Sequence, residues 1–537
     1  MNYGDIDKTA SWGKLAALAG DYKRFDFRRL LDAGRVESSQ VPMAAGLRYS
    51  WAAKAVDRRV LEVLGALAEE QESIPKYRAL AEGETMNPGE NRKVLHQLLR
   101  SPDGKALTGK TVSLEGRDLG DFYRQELART AAFAGKVHAG ALRGSTGKPF
   151  THAVQIGIGG SDLGPRALYL ALENWARREG KEKLKARFIS NVDPDDASAV
   201  IGSVPLAETL FILVSKSGTT QETLANELFV KDKLQKAGLD PSKHLAAVTS
   251  ETSPLAHNPA YLDSFYIDDF IGGRYSSSSA VGGLILSLAF GPEIFAEFLA
   301  GAHEADRTAL EPEILNNAAL LDALIGVWER NFLGYPCTAI LPYSQALSRF
   351  PAHLQQLDME SNGKRVNRHG KPVAYATGPV VFGEPGTNGQ HSFYQLLHQG
   401  TDVTPLQFIG FEESQRGEDV EVEGSGSQTK LLANLAAQIV AFAKGQDSED
   451  LNREFPGGRP SSLIYGKRLS PRALGALLAH FENKVMFQGF IWNLNSFDQE
   501  GVQLGKVLAK KVLSARAGGN SGDAALDAYA RLLMKGL

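Results

Sequence analysis

Four short β-rich runs, at residues 153–158, 187–192, 209–214 and 245–248, each lead into a turn or a cluster of glycine, serine and threonine, and often then into residues at helical spacing. That rhythm predicts βαβ units and a parallel sheet, because parallel neighbours need a long crossover, usually a helix. It returns after about residue 335, in strand-like runs at 337–341, 379–382 and 405–411 and helical patterns at 392–399 and 429–443. Two α/β units are therefore expected. Ahead of them, Phe25, Leu30, Leu31, Val94, Leu95, Leu98 and Leu99 recur at helical spacing among charged residues, which predicts a helical N-terminal region. The expected division is a helical region over 1–120, a first α/β domain over 121–300, a helical bridge over 301–335, a second α/β domain over 336–510 and a helical tail over 511–537. In the tail, the glycine-rich 517–523 reads as a hinge. The amphipathic 524–533 needs another surface to cover its apolar face, such as a partner subunit. Residues 414–428 read as a polar surface loop.

Charge excludes several function classes. The 537 residues carry 59 basic and 62 acidic side chains, a formal net charge of −3, so nothing attracts the whole chain to nucleic acid or to an anionic membrane. A small-molecule partner is expected. Cys337 is the single cysteine, which rules out an intrachain disulfide framework and a thiolate zinc cluster. The first residues have acidic side chains and no apolar h-region, so the cytoplasm is the expected location. The longest apolar stretch, 280–290, falls short of the ~20 residues that span a bilayer and reads as a buried helix.

Five segments carry chemistry. In QIGIGGSDLGP (155–165) a strand runs into Gly157, Gly159, Gly160 and Ser161, a composition that lets backbone N–H groups approach an anion at a helix start. Asp162 breaks the dinucleotide fingerprint, and no P-loop lysine follows. In LFILVSKSGTTQET (210–223), Ser215, Lys216, Ser217, Gly218, Thr219 and Thr220 sit between an apolar strand and a helical run, which suits a phosphate dianion. QQLDMESNGK (355–364) holds Asp358 and Glu360 in an apolar context, where a carboxylate can serve as a general base. GEPGTNGQHSFYQLLHQG (383–400) delivers His391 at a helix start, able to exchange protons near neutral pH, while His398 reads as structural. SFDQEGVQLGK (496–506) closes on Lys506. No H-E-x-x-H or Cys/His cluster occurs, so no metal and no cofactor are expected.

In this order the segments resemble the phosphoglucose isomerase family of the sugar-isomerase (SIS) domain superfamily. The likeness runs over about residues 83–510 and includes GENRKVLHQLLR (89–100), GGRYSSSSAVGG (272–283) and FPGGRPSS (455–462). It implies an α/β fold of two sugar-isomerase domains, each a mainly parallel sheet flanked by helices. It also implies aldose–ketose isomerisation of glucose 6-phosphate and fructose 6-phosphate through a cis-enediol, in glycolysis and gluconeogenesis, and a homodimer with shared active sites. By the same resemblance Glu360 moves the proton between C1 and C2, and His391, from the neighbouring subunit, and Lys506 assist ring opening. Arg274 stabilises enediolate charge. The segment of Gly160 and Ser161, with the loop from Ser215 to Thr220, matches the phosphate cradle, and Gln356 and Gln499 match positions that contact the sugar. Ser277 and Ser278 stand where an apolar residue and tryptophan are usual, an exchange expected to loosen the packing under Arg274. Glu500 and Gln503 replace a usual tryptophan and glutamate. A sugar-phosphate sensor built on the same domains would keep the cradle without Glu360, His391 or Lys506, and a broader phosphoglucose/phosphomannose isomerase would keep all of them.

Overall fold

Two largely parallel sheets form where the sequence rhythm predicts them. The computed structural model describes residues 1–22, 25–515 and 520–534. Its first sheet runs Lys185–Ile189, His152–Ile156, Thr209–Val214, Leu245–Thr249 and Ser264–Tyr266, every pairing parallel. Thr209–Val214 is central and all six of its residues are buried, so after Thr209 it reads as a continuous apolar run rather than an alternating one. In chain order these strands lie 2-1-3-4-5. The winding therefore reverses between His152–Ile156 and Thr209–Val214, and the loops leaving their carboxyl ends diverge around a crevice, the usual place for a ligand in such sheets.

The second sheet repeats the arrangement with Val380–Phe382, Cys337–Pro342, Leu406–Phe411 and Ser461–Gly466 in parallel. It then continues with Arg48–Ser50 and Gln40–Pro42 in antiparallel pairing. The N-terminal region is thus not helical throughout: besides helices such as Ala10–Tyr22 and Arg58–Glu70, it contributes the last two strands at one end of the distant sheet. At three residues each they are too short for a period of two to stand out.

The helix Ala280–Phe290 has all its residues buried, as its composition predicts. Pro471–Ile491 is buried except for Arg472, and it crosses Pro292–Thr308 almost backbone to backbone. A Cβ on Gly301 would lie 1.9 Å from the Arg472 carbonyl oxygen, and one on Gly475 would lie 1.9 Å from that of Phe298. This long helix carries buried polar groups to two sides. His480 and Lys484, one turn apart, both reach Asp322 at 3.1 Å. Glu482 and Asn483 face the other way, toward Arg100 and Asp306.

Residues Met1–Ser496 make one compact unit and Phe497–Leu537 a second. This division falls inside the segment 336–510 expected as the second domain. The second unit holds the helices Gln503–Ala515 and Ala524–Leu533, neither of which has a buried residue. Of the expected hinge, residues 517–519 lie outside the described residues. Among the described residues no helix is long and apolar enough to cross a membrane.

Candidate active site

The crevice of the first sheet is built from glycine. The strand His152–Ile156 ends in a turn, Gly159–Ser161, before the helix Leu163–Arg178. A Cβ on Gly160 would fall 2.1 Å from the carbonyl oxygen of Gly273 and 2.8 Å from the backbone nitrogen of Arg274. Only glycine lets these two backbones meet, and the contact sets the Gly159–Ser161 turn beside the turn Gly273–Ser278. A Cβ on Gly159 would stand 3.4 Å from the side-chain amide of Gln356, so a third segment closes on the same place.

The neighbouring strand, Thr209–Val214, opens into the loop predicted to hold phosphate. Ser215 Oγ donates to Thr220 Oγ1 at 3.1 Å, and the amide and hydroxyl of Thr219 both donate to Ser217 Oγ, at 3.2 and 3.0 Å. Ser217 and Thr219 are exposed and Gly218 has φ +67. Thr220 precedes the sixteen-residue helix Gln221–Lys236 without capping it by its side chain, so the first-turn N–H groups and the positive end of the helix are left for an anion. Lys216, which the sequence groups with these donors, has its ammonium on the carbonyls of Asp269 and Ile271, at 3.3 and 3.0 Å. It ties the loop to the chain just ahead of Gly272, and burial lowers its pKa from the ordinary lysine value.

Glu360 lies at the end of a single π-helical turn, Gln356–Glu360, which continues the helix Phe350–Gln355. Such turns, with one residue more than the α-helix allows, are frequent at functional sites. Gln356 donates its side-chain amide to Glu360 at 3.0 Å, and its own carbonyl oxygen is buried without a protein partner. Opposite Glu360, at 3.2 Å, is the Arg274 guanidinium, itself 1% exposed. Arg274 is fixed from behind: it donates to Ser361 Oγ and to the Ser496 carbonyl, both at 2.7 Å, and Ser361 also lies 3.0 Å from the Tyr275 hydroxyl. The D-x-E pair is therefore divided. Glu360 meets the cation, whereas Asp358 is buried on the inner side and is pushed up to about 6 by that burial.

Under Arg274 the packing is tight rather than loosened. A Cβ on Gly164 would lie 1.9 Å from Ser277 Oγ, and Ser278 Oγ accepts a 3.0 Å bond from Arg100. Arg100 is completely buried against Asp306 and Glu482. Ser361, Tyr275 and Arg100 lie inside the quoted sequence segments but were not marked by residue type alone; what distinguishes them is a bond to Arg274 or its turn. His391 ends a short turn, Asn388–His391, is exposed, and has no side-chain hydrogen bond or ion pair with another described residue. His398 is structural, stacked 3.7 Å from Phe442 and bonded to Gln438 at 2.9 Å. Lys506 and Gln499 belong to the second unit, where Lys506 is exposed in the first turn of Gln503–Ala515. Among the described residues no group of three or more His, Cys, Asp or Glu side chains is placed to hold a metal ion.

A carboxylate beside a fixed guanidinium, with an anion cradle on the adjoining loop, suits proton abstraction next to a carbonyl of a phosphorylated substrate. The profile of the family described as phosphoglucose isomerase matches residues 50–529. The chain is 60% identical over 533 residues to a glucose-6-phosphate isomerase of Treponema pallidum, covering 99% of this chain and 98% of that protein. It is 62% identical over 539 residues to one of Treponema denticola, covering 99% and 100%. The crystal structure of a glucose-6-phosphate isomerase from Chlamydia trachomatis superposes with a TM-score of 0.89 at 41% identity, over 99% of each chain.

Proposed function

The chain belongs to the phosphoglucose isomerase family, and on that premise we propose how it interconverts glucose 6-phosphate and fructose 6-phosphate. The phosphate binds at the Ser215–Thr220 loop and the Gly160–Ser161 turn, where exposed hydroxyls and a helix N-terminus accept a dianion. Binding there, far from the reacting carbons, orients C1 and C2 over Glu360. Glu360 takes the proton from C2 of the open-chain aldose and returns it to C1 of the cis-enediol, while the Arg274 guanidinium balances charge on the enediolate oxygen. Gln356 offers its buried carbonyl oxygen to a sugar hydroxyl, with Gln499 as a second sugar contact. His391 and Lys506 open the ring. Proton transfer by side chains alone makes the reaction independent of a metal. The observation that carries this mechanism is the 3.2 Å pair of Glu360 with a buried arginine that is also held by hydrogen bonds to Ser361 and Ser496.

The test is NMR of fructose 6-phosphate in D2O containing EDTA. Glucose 6-phosphate forms, with partial deuterium at C2, partial because Glu360 returns some of the same proton. Binding without conversion would instead make the chain a sensor.

Two further features belong to this proposal. Residues 121–300 and 336–510 act as the two sugar-isomerase domains, and the enzyme works in the cytoplasm, where phosphorylated sugars are retained as anions. The active form is a homodimer in which His391 comes from a second protomer. Its support is the unengaged, exposed His391, together with Leu504, Leu532 and Leu533, which are 68%, 73% and 77% exposed on the two terminal helices. Mixing unfolded Glu360→Gln and His391→Ala chains and refolding them together restores activity that neither variant shows alone, because each mixed dimer then holds one intact site. Absence of recovery in dimers shown to be mixed would place both residues in the same protomer's site.

A further inference from the structure

Beneath the π-helical turn lies a largely enclosed cavity of about 30 Å³, whose polar lining includes Asp358, Lys484, Gln488, Glu329, Lys54 and Asp322. One ordered water takes roughly 10–15 Å³ on this scale and needs two to four polar partners, so there is room and chemistry for one or two. Most charges around the cavity are matched. Lys54 holds both oxygens of Glu329 at 3.0 Å, and Lys484 holds Asp322 and Gln407, each at 3.1 Å. Two buried atoms remain without a protein partner, Asp358 Oδ1 and Gln488 Oε1. A buried polar atom left unbonded is costly, and a bridging water is the common remedy.

We propose that this cavity binds ordered water that bridges Asp358 to the helix Pro471–Ile491, and that Asp358 is thereby a positioning residue for Glu360. The inference rests on Glu360 being the base. Gln356, Asp358 and Glu360 share one turn: Gln356 and Glu360 are bonded to each other at its outer side, and Asp358 anchors its inner side. The turn is a single one, so what Asp358 bonds to on the inner side is carried directly to Glu360 two residues on. The burial that raises the Asp358 pKa agrees with a carboxyl that lacks a cation of its own.

The closing experiment compares Asp358→Asn, Asp358→Leu and Glu360→Gln by steady-state kinetics, with thermal melting as a check on folding and a high-resolution crystal structure of the wild-type enzyme. Asp358→Asn keeps a donor and an acceptor for the water and retains kcat within about threefold. Asp358→Leu fills the water site with an apolar group and lowers kcat by about tenfold or more with KM unchanged, the signature of a misaimed base rather than lost binding. Wild-type kcat in Asp358→Leu, or equal loss in both Asp358 variants, overturns the proposal. If Asp358→Leu does not fold, the wild-type crystal decides: water density within hydrogen-bond distance of Asp358 Oδ1 supports the proposal and a dry cavity overturns it. High activity in Glu360→Gln would overturn the base assignment itself, a result separate from whether the cavity holds water.

Discussion

Glu360→Gln lowers kcat for both directions of the isomerisation by about 10²–10⁴-fold, the range that a positioned general base contributes, while KM changes by no more than about threefold. The geometry explains why the loss concentrates in kcat. Glutamine has the same shape and can still accept the bond from Gln356, so the π-helical turn and the sugar contacts persist. What disappears is the negative charge and with it the basicity, because the oxygen that accepts from Gln356, and that faces Arg274 at 3.2 Å, becomes that of a neutral amide. A coupled steady-state assay, with fructose 6-phosphate affinity measured separately by calorimetry, checks this. A variant that binds normally and turns over at close to the wild-type rate would remove Glu360 from the reaction.

Replacing Arg100 by methionine has the largest effect expected on stability. Arg100 bonds to both oxygens of Asp306, at 3.0 and 3.1 Å, to Glu482, and to Ser278, all in the interior. Removing the one cation leaves two buried carboxyls uncompensated, a change that costs on the order of 3–5 kcal/mol. The deficit has a pH signature. Burial raises Glu482 to about 7 from an ordinary 4.5, even with Arg100 drawing it down. A group raised in the folded state contributes stability that is complete below its unfolded value and is lost as pH rises through the folded one. Without Arg100 both carboxyls are raised further, so the gap in melting temperature between the variant and the wild type widens from pH 5 to pH 8. Equal melting curves across that range would show that Arg100 is not what balances these acids. Because Ser278 ends the turn that begins at Gly273, kcat falls too in any fraction that folds.

Much of the fold was legible because buried parallel strands announce themselves. Thr209–Val214 and Leu406–Phe411 are mainly apolar runs, buried at every residue, and became the centres of their sheets. The strands at 40–50 left no such trace, since each is only three residues long. In the site, residue types pointed to Asp358 and Glu360 equally, and only the direction each faces from the π-helical turn separates them. Lys216 shows the opposite limit. Its charge suggested a phosphate contact, but its ammonium is held by two backbone carbonyls that no sequence pattern reveals. Ser361 was adjacent to a marked residue and still invisible, because its role is a hydrogen bond to an arginine 87 positions away.

The pairing of Arg48–Ser50 with Ser461–Gly466 also bears on how the chain is made. Tyr49 pairs with Ile464, so a strand that leaves the ribosome early, paired on one side with Gln40–Pro42, lacks the partner for its other side until nearly the whole protein has been translated. At about 5–20 residues per second that interval is on the order of 20–80 s. Closing so long a loop adds little entropic cost, but the exposed strand edge is open to pairing with another nascent chain throughout. Folding yield should therefore respond to chaperone supply during synthesis more than to the final stability of the enzyme.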